Sequence, residues 1–342
     1  FVRKDLEILV QKYSVKYFDF SRSGKFALAT NLVKQFCFLT WNILGSEALF
    51  VMFGGYHAFL PSLFGRMLGK KVFIILGGTD CVSYPSINYG TFRKPMQGKV
   101  TCASYRLAHR LLPVHRSLMF REESYYSIDS KYQGCQFWCN HLETPYTEIH
   151  NGYDSEKWKP DGSKKQPNTF LTIAAIPDKT KIVLKGIDLV IQAAKSFPNC
   201  SFTIVGLQDA SIEICDEPNV TVLPFLSAEQ LLQILSTTRF YLQLSISEGF
   251  PNALCEAMLT ECIPIGSNVA AIPDIIGQSG FVLKKRNITQ LTALLAQALN
   301  TTELDILGKD ARQRIVEHYP LESRSKGLMN VLGQGQRPNR SR

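Results

Sequence analysis

The chain has 342 residues, 45% apolar and 20% charged, a balance ordinary for a soluble globular protein and unlike a collagen, a coiled coil or a disordered chain. At roughly 150 residues per domain this length suits two domains, each able to bury a core without disulfides or metal. The formal charge of +9 is uneven: residues 1–150 hold 18 Lys/Arg against 10 Asp/Glu, whereas residues 151–342 hold 20 against 19, so the first half is expected to face an anionic partner.

In the first half, Val15–Asp19 reads as a strand and Gly24–Leu44 as a helix. Ala48–Phe53 is an apolar strand, His57–Leu68 a helix, and Lys71–Leu76 a buried strand ending at Gly77-Gly78. Val100–His109 reads as a helix and Leu111–Val114 as a short strand. The second half repeats this grammar, with strands at Phe170–Ala175, Ser201–Gly206, Val220–Leu223, Phe240–Leu244 and Ile263–Ile265. Helices are expected at Gly186–Phe197, Ala228–Thr237, Pro251–Thr260 and Ile288–Leu299. Continuous apolar strands alternating with amphipathic helices imply α/β architecture, with two doubly wound parallel sheets. Residues 154–167, polar and rich in Pro and Gly, read as a linker between units at 1–153 and 168–318; residues 333–342 read as a disordered tail. Ligands of such sheets bind beyond the carboxyl ends of the strands, so the chemistry belongs in the strand-to-helix loops on either side of the linker.

The most apolar stretch, Phe36–Phe53, is interrupted by Thr40, Asn42, Ser46 and Glu47, and a spanning helix needs about 18 or more apolar residues. The opening residues read as an amphipathic helix, not a signal peptide. The nine cysteines include no CxxC pair and read as reduced thiols of a cytoplasmic protein. On that view the Asn-x-Ser/Thr sites at Asn199, Asn219, Asn287, Asn300 and Asn339 are chance occurrences. Cys135, Cys139, His141 and His150 offer zinc-ligand types, but at no standard spacing. No basic run is interleaved with aromatics, so nucleic acid is not an expected partner.

The most informative segment runs Ser247-Glu248-Gly249-Phe250-Pro251-Asn252-Ala253-Leu254-Cys255-Glu256-Ala257-Met258. It follows a buried strand and opens a helix, with Pro251 suited to the first turn. The amides and dipole at Gly249–Ala253 make an anion site. Glu248 and Glu256 bracket it, placed to accept hydrogen bonds from hydroxyls beside a bound phosphate, which suggests a nucleotide sugar. The alternative for an isolated Glu-x7-Glu is a pair of carboxylates that only complement a helix.

Ser247–Met258, followed by Ile263-Pro264-Ile265-Gly266-Ser267, resembles the signature of retaining glycosyltransferase family 4, whose fold is GT-B: two Rossmann-like domains facing across a cleft. Other segments resemble the family in the same order. They are Ile149–Asp154, Leu184–Asp188, Ser201–Gly206, Val220–Phe225, Ile272–Ile276 with Asp274 where Glu is usual, and Tyr319–Arg324, whose counterpart closes the fold by crossing back over residues 319–332. The opening residues resemble the helix after the family's first strand and loop, so the first domain is expected to lack that strand.

The resemblance implies that Glu256 binds the donor ribose, Glu248 the transferred sugar and Lys185 the diphosphate. The amides of Gly249, Phe250, Asn252 and Ala253 would complete the cradle, and Gly206 and Phe225 would border the nucleotide. The family's Arg before the Lys is replaced by Lys179 and Lys181, of which Lys181 is the diphosphate candidate, although a Lys lacks the bidentate fork. Asp80, in Gly77-Gly78-Thr79-Asp80, is either an acceptor-side polar group or a turn or cap residue; His57 and His115 are expected to be structural.

No Asp-x-Asp occurs, so metal-independent transfer is expected, with no cofactor beyond the donor. That donor is expected to be a UDP-sugar before a GDP- or ADP-sugar. The implied acceptor is a hydroxyl of a saccharide or lipid-linked saccharide, as in surface polysaccharide synthesis, held by the basic first domain with peripheral contact to an anionic inner membrane face. A nucleotide-sugar epimerase of the same fold and a non-catalytic sugar-nucleotide-binding protein are the competing readings.

Overall fold

In the computed structural model, which describes residues 2–20, 27–209, 212 and 214–333, two parallel sheets carry the architecture. The first half runs α1 (Val2–Val10), α2 (Ala27–Asn42), β1 (Ala48–Met52), α3 (Tyr56–Met67), β2 (Lys71–Leu76), α4 (Pro95–Leu107) and β3 (Arg110–Pro113). A short antiparallel ribbon, β4 (Arg121–Glu122) and β5 (Tyr132–Gln133), and a single turn α5 (Cys135–Trp138) follow. The sheet order is β1-β2-β3. The central strand β2 is apolar and buried from Val72 to Leu76, as a parallel strand covered on both faces must be.

The second half runs β6 (Gln166–Ile176), α6 (Thr180–Leu184), α7 (Ile187–Ser196), β7 (Ser201–Leu207), β8 (Val220–Pro224), α8 (Ala228–Thr237), β9 (Thr238–Gln243), α9 (Asn252–Leu259) and β10 (Ile263–Ser267). After these come α10 (Ile272–Ile276), β11 (Phe281–Leu283), α11 (Ile288–Leu299), α12 (Leu304–His318) and α13 (Leu321–Gly333). Its six strands order as β11-β10-β9-β6-β7-β8, every pair parallel. Phe170, Phe202 and Phe240 stack across neighbouring strands at 4.8 and 5.0 Å. From β6 the chain winds outward through β7 and β8, then returns to place β9 on the opposite side. The switch point therefore lies between the carboxyl ends of β6 and β9, the position at which open α/β sheets bind ligands.

Two strips of backbone join the halves. Residues after β3 run beside it, with the Thr147 and Ile149 amides donating to Leu111 O and Pro113 O, and then Tyr153 bridges to Pro320. α13 returns to the first half, where the buried Arg324 guanidinium grips Asp5 of α1 at 2.5 Å and donates to Ile149 O and His150 O. Asp274 reaches across to His115 Nε2 at 3.0 Å and Arg116 at 3.3 Å.

Several expectations need correction. Val15–Asp19 is not a strand: it pairs with nothing among the described residues, and a groove of about 750 Å³ separates it from the free edge of β1. β-prone residues such as Val15, Tyr17 and Phe18 suit an extended segment, but only a neighbouring strand makes it part of a sheet. The thiols are not all reduced, because Cys102 of α4 is bonded to Cys139 just past α5. That bond also removes Cys139 from any zinc set. Among the described residues the group with metal-ligand atoms inside 4.8 Å is instead His115, Glu148 and His150. The closing helix starts at Leu321, not Tyr319, and β11 and α12 were not expected. The tail at residues 334–342 lies outside the described residues. Among those residues no helix is long and apolar enough to cross a membrane. Asn219 donates to three backbone carbonyls and Asn287 caps α11, so both side chains have structural work.

Candidate functional site

At the switch point two loops converge. After β6, Lys181 lies on α6 and Lys185 caps its end; after β9, residues 244–251 lead into α9, and the Ile246 amide donates to Leu184 O, tying the loops together. Lys185 Nζ donates to Glu248 Oε1 at 2.5 Å. The same oxygen accepts from Ser245 Oγ at 2.8 Å and Gln243 Nε2 at 3.2 Å. Burial opposes the Lys185 ammonium, but the Glu248 carboxylate outweighs it and holds the lysine pKa above its ordinary value. Lys181 is shifted the other way, by burial and then by repulsion from Lys185. Two cations thus lie close enough to repel each other, and Glu248 is paired with one of them.

The first half supplies the other wall. Lys181 Nζ sits 4.8 Å from the centre of the Tyr89 ring, and the Tyr89 hydroxyl meets Thr79 Oγ1 at 2.6 Å. Gly77-Gly78 meets Gly249 backbone to backbone. A Cβ on Gly249 would lie 2.0 Å from Gly77 O, and one on Gly78 3.0 Å from the Gly249 nitrogen. Glycine on both sides is what permits this approach. Ser247 Oγ is buried without a hydrogen-bond partner among the described residues, an orphaned polar atom beside Glu248 of the kind that a ligand satisfies.

α9 begins at Asn252, so the amides of Asn252 and Ala253 belong to its first turn and have no intrahelical acceptor. The Asn252 side chain faces the joint between the halves, where its Oδ1 accepts from Tyr153 OH at 2.8 Å and Asn151 Nδ2 at 3.2 Å. One turn on, Glu256 is largely buried, and burial raises its pKa against the opposing pull of Lys4 and Lys157. Burial raises the pKa of the Tyr241 hydroxyl, and the charges of Glu248 and Glu256 add to that rise.

Other expected site residues are placed differently. Asp80 is buried, and its carboxylate accepts from the amides of Gly54, Gly77 and Gly78 and from Tyr105 OH at 2.8–3.1 Å. Of its two readings, this geometry is the loop-building one: Asp80 shapes the Gly77-Gly78 wall and has no free face for an acceptor. Phe250 packs its ring among Tyr319, His150, Tyr153 and His115 at 5.1–6.5 Å, so only its backbone is available to a ligand. Gly206 is required by the sheet itself, since a Cβ would lie 2.1 Å from Ala174 O. Phe225 is exposed beyond the end of β8.

His57 and His115 both bond to protein. His57 Nε2 meets Met52 O at 2.9 Å. His115 is buried between Ser117 and Asp274, and burial lowers its pKa despite the nearby carboxylates. Glu148 accepts from His150 and the Arg116 amide; burial opposes its charge, yet these bonds take its pKa down to about 2. Tyr89, Thr79, Ser245 and Gln243 were not foreseen. The polar residues flanking Glu248 on β9 and its loop carried the signal for the last two.

Residues 154–315 match the family described as glycosyl transferases group 1. The chain is 30% identical over 102 residues to an MMP alpha-(1->4)-mannosyltransferase from Mycolicibacterium hassiacum, a match over 29% of this chain and 25% of that protein. It therefore spans about a quarter of the curated relative's length. Among solved structures it superposes on sucrose-phosphate synthase from Thermosynechococcus elongatus with TM-score 0.69 at 15% identity, covering 92% of this chain and 80% of the other. Anabaena HepE in complex with UDP and glucose gives 0.69 at 11% identity, with 96% and 89% coverage. S. aureus TarM in complex with fondaparinux, alpha-GlcNAc-glycerol and UDP gives 0.67 at 15% identity, with 88% and 59% coverage. At these identities the likeness is one of fold, and it spans both sheets.

Proposed function

We propose, from the premise that residues 154–315 belong to the glycosyl transferases group 1 family within a GT-B fold, that the chain moves a hexose from a nucleoside diphosphate sugar to an acceptor hydroxyl with retention at the anomeric carbon. The observation that carries this reading is the Lys185–Glu248 pair at the switch point, beside Lys181 and the free amides of α9. A lysine held charged and a helix start suit a diphosphate. A carboxylate with one oxygen outside its three protein bonds suits sugar hydroxyls, and Glu256 suits the ribose.

In this reading the bond from the anomeric carbon to the donor phosphate breaks as the acceptor oxygen bonds to that carbon on the same face. The acceptor's proton passes to the departing phosphate oxygen. Lys185 and the α9 amides stabilise the charge that gathers on the leaving group, the placement at which a fixed cation and fixed dipoles lower a barrier most. Phosphate charge is then met by protein groups without a metal ligand set. UDP-sugars are the first donor choice, consistent with the UDP in the HepE and TarM structures. The acceptor is a saccharide or lipid-linked saccharide on the basic first half.

A thermal-shift screen of UDP-, GDP- and ADP-sugars, followed by transfer of labelled sugar to candidate acceptors, tests the proposal. Stabilisation by one donor, lost in Glu256→Ala, is expected. A donor response unchanged by that substitution refutes the assigned site. Inversion at a sugar carbon without any acceptor indicates an epimerase instead.

A further inference from the structure

The donor site uses little of the first half's positive charge. Part of that charge surrounds an unusual helix face. α2 turns polar groups inward: Asn31 and Gln35 are buried beside Leu39, and Gln35 Nε2 donates to His57 O at 2.9 Å. Its outward face carries large apolar side chains among Thr30, Lys34 and Thr40. Val33 is 65% exposed, Phe36 47%, Trp41 88%, and Leu44 just beyond the helix 72%. These positions fall within one broad helical arc. Phe36 leans on Phe64 of α3 at 5.4 Å, and the apolar surface continues from there through the exposed Met67 and Leu68.

The rim of this patch is cationic. Lys70 Nζ donates to Leu44 O and Lys16 Nζ to Asn42 Oδ1, both at 2.8 Å, which places two ammonium groups at the end of the apolar stripe. Residues 27–71 hold four Lys/Arg (Lys34, Arg66, Lys70, Lys71) and one carboxylate, Glu47. A second copy docking on this face would set like charge against like charge. An anionic lipid leaflet complements both features: the interface takes an indole at headgroup depth and apolar side chains just below, while lysines and arginines meet the headgroups.

We propose that the outward face of α2 and the end of α3 form a membrane-docking surface that seats the chain on an anionic phospholipid leaflet, with Trp41 as its interfacial anchor. The proposal deepens the transfer reading and rests on it for its consequence. α2 leads into β1 from the opposite direction, so its amino end lies at the carboxyl side of the sheet, where the cleft is. Trp41 and Leu44 lie at the other end of α2, beside Lys70 at the start of β2, so docking there would hold the first half, one wall of that cleft, on the surface carrying a lipid-linked acceptor.

The test is flotation of the full chain with vesicles of phosphatidylcholine alone and of phosphatidylcholine mixed equally with phosphatidylglycerol, with the donor-induced thermal shift measured in parallel. The parent is expected to float with the anionic vesicles, less so as salt is raised. Phe36→Ser/Trp41→Ser should weaken partition by about tenfold or more. Lys34→Glu/Arg66→Glu, which leaves the apolar stripe intact, should weaken it by a similar factor on anionic vesicles only. Both variants should keep the donor response, which shows that they are folded. No flotation of the parent with anionic vesicles, or undiminished flotation of both variants, overturns the proposal. Concentration-dependent self-association abolished by Trp41→Ser overturns it in favour of a second copy. Vesicle binding with no donor response from the parent sustains the surface and refutes the transfer reading instead.

Discussion

Replacing Glu248 by Gln separates the diphosphate from the sugar it carries. The amide keeps an oxygen for Ser245 and Gln243 but removes the charge that holds Lys185 at 2.5 Å. The two side chains are 25% and 13% exposed, so stranding the lysine should cost the free protein roughly 1–3 kcal/mol, below the ~3–5 of a fully buried pair. A nucleoside diphosphate restores an anion to Lys185. The parent must first break its own ion pair to do the same, whereas the variant need not. Glu248→Gln should therefore bind the free diphosphate more tightly, by about 5- to 150-fold. Transfer should move the other way, because a carboxylate that accepts from sugar hydroxyls is worth roughly 1.5–3 kcal/mol, or about 10- to 150-fold in kcat/KM. Calorimetric titration with UDP, GDP and ADP, set beside turnover of labelled donor, reads both effects. Equal losses of diphosphate and nucleotide-sugar affinity would refute the reasoning, since they would leave Glu248 a purely structural role.

Asp5→Ala leaves the buried Arg324 guanidinium without its carboxylate and should destabilise the chain by ~3–5 kcal/mol in urea melts, while Asp5→Leu/Arg324→Met should lose less. Glu256 has its pKa raised by burial, so donor binding that needs its carboxylate should weaken on acidification at a higher pH than an ordinary Glu would give. The stability linked to that shift has the opposite sense, complete below the unfolded pKa and lost as pH rises through the folded one. A donor titration across pH checks this, and Glu256→Gln should flatten the profile. Reducing Cys102–Cys139, which closes a separation of 37 residues, should lower stability by roughly 2–4 kcal/mol. Thiol titration in denaturant should find seven reactive groups, and nine would exclude the bond.

Local signals in the sequence place what local forces fix. β2 is read correctly at both ends because Lys70-Lys71 and Gly77 bound an unbroken apolar run from Val72 to Leu76. α8 and α11 are read correctly because Ser227 and Asn287 cap them, the first in a capping box with Gln230. Val15–Asp19 misleads because Val15, Tyr17 and Phe18 suit a strand but no partner strand pairs with them among the described residues. Asp80 was ambiguous because two of its bonding partners, Gly54 and Tyr105, are 26 and 25 residues away. The Cys102–Cys139 bond spans a comparable distance with no spacing rule to announce it. At the site, Lys185 and Glu248 are 63 residues apart; they stand out in the sequence through the likeness of Leu184–Asp188 and Ser247–Met258 to family motifs, and the fold brings those two loops together. Tyr89 was missed because it arrives on a loop between two single helical turns, where neither periodicity nor motif marks a residue.

The contact between Gly77-Gly78 and Gly249 decides how the two walls act on each other. Gly249 has no left-handed φ, so alanine there meets no backbone penalty and acts only as a wedge. Its Cβ would stand 2.0 Å from Gly77 O and 2.7 Å from Gly77 C, and main chain cannot yield as the tip of a flexible side chain can. The walls must part by about an ångström or more, since unstrained carbon–oxygen contacts lie beyond roughly 3 Å. The α9 amides, Lys181 and Lys185 all belong to the second half and stay together, so diphosphate affinity should hold within a few-fold. Transfer needs both walls and the exclusion of water between them, and a displacement on this scale can cost about 100-fold. Gly249→Ala should therefore cut sugar transfer by that order while hydrolysis of the donor rises relative to transfer. Gly45→Ala, whose Cβ would meet nothing nearer than Asn42 O at 4.0 Å, should change neither. Undiminished transfer in Gly249→Ala would mean that catalysis does not depend on this contact, and the Gly77-Gly78 wall would then have no part in the reaction.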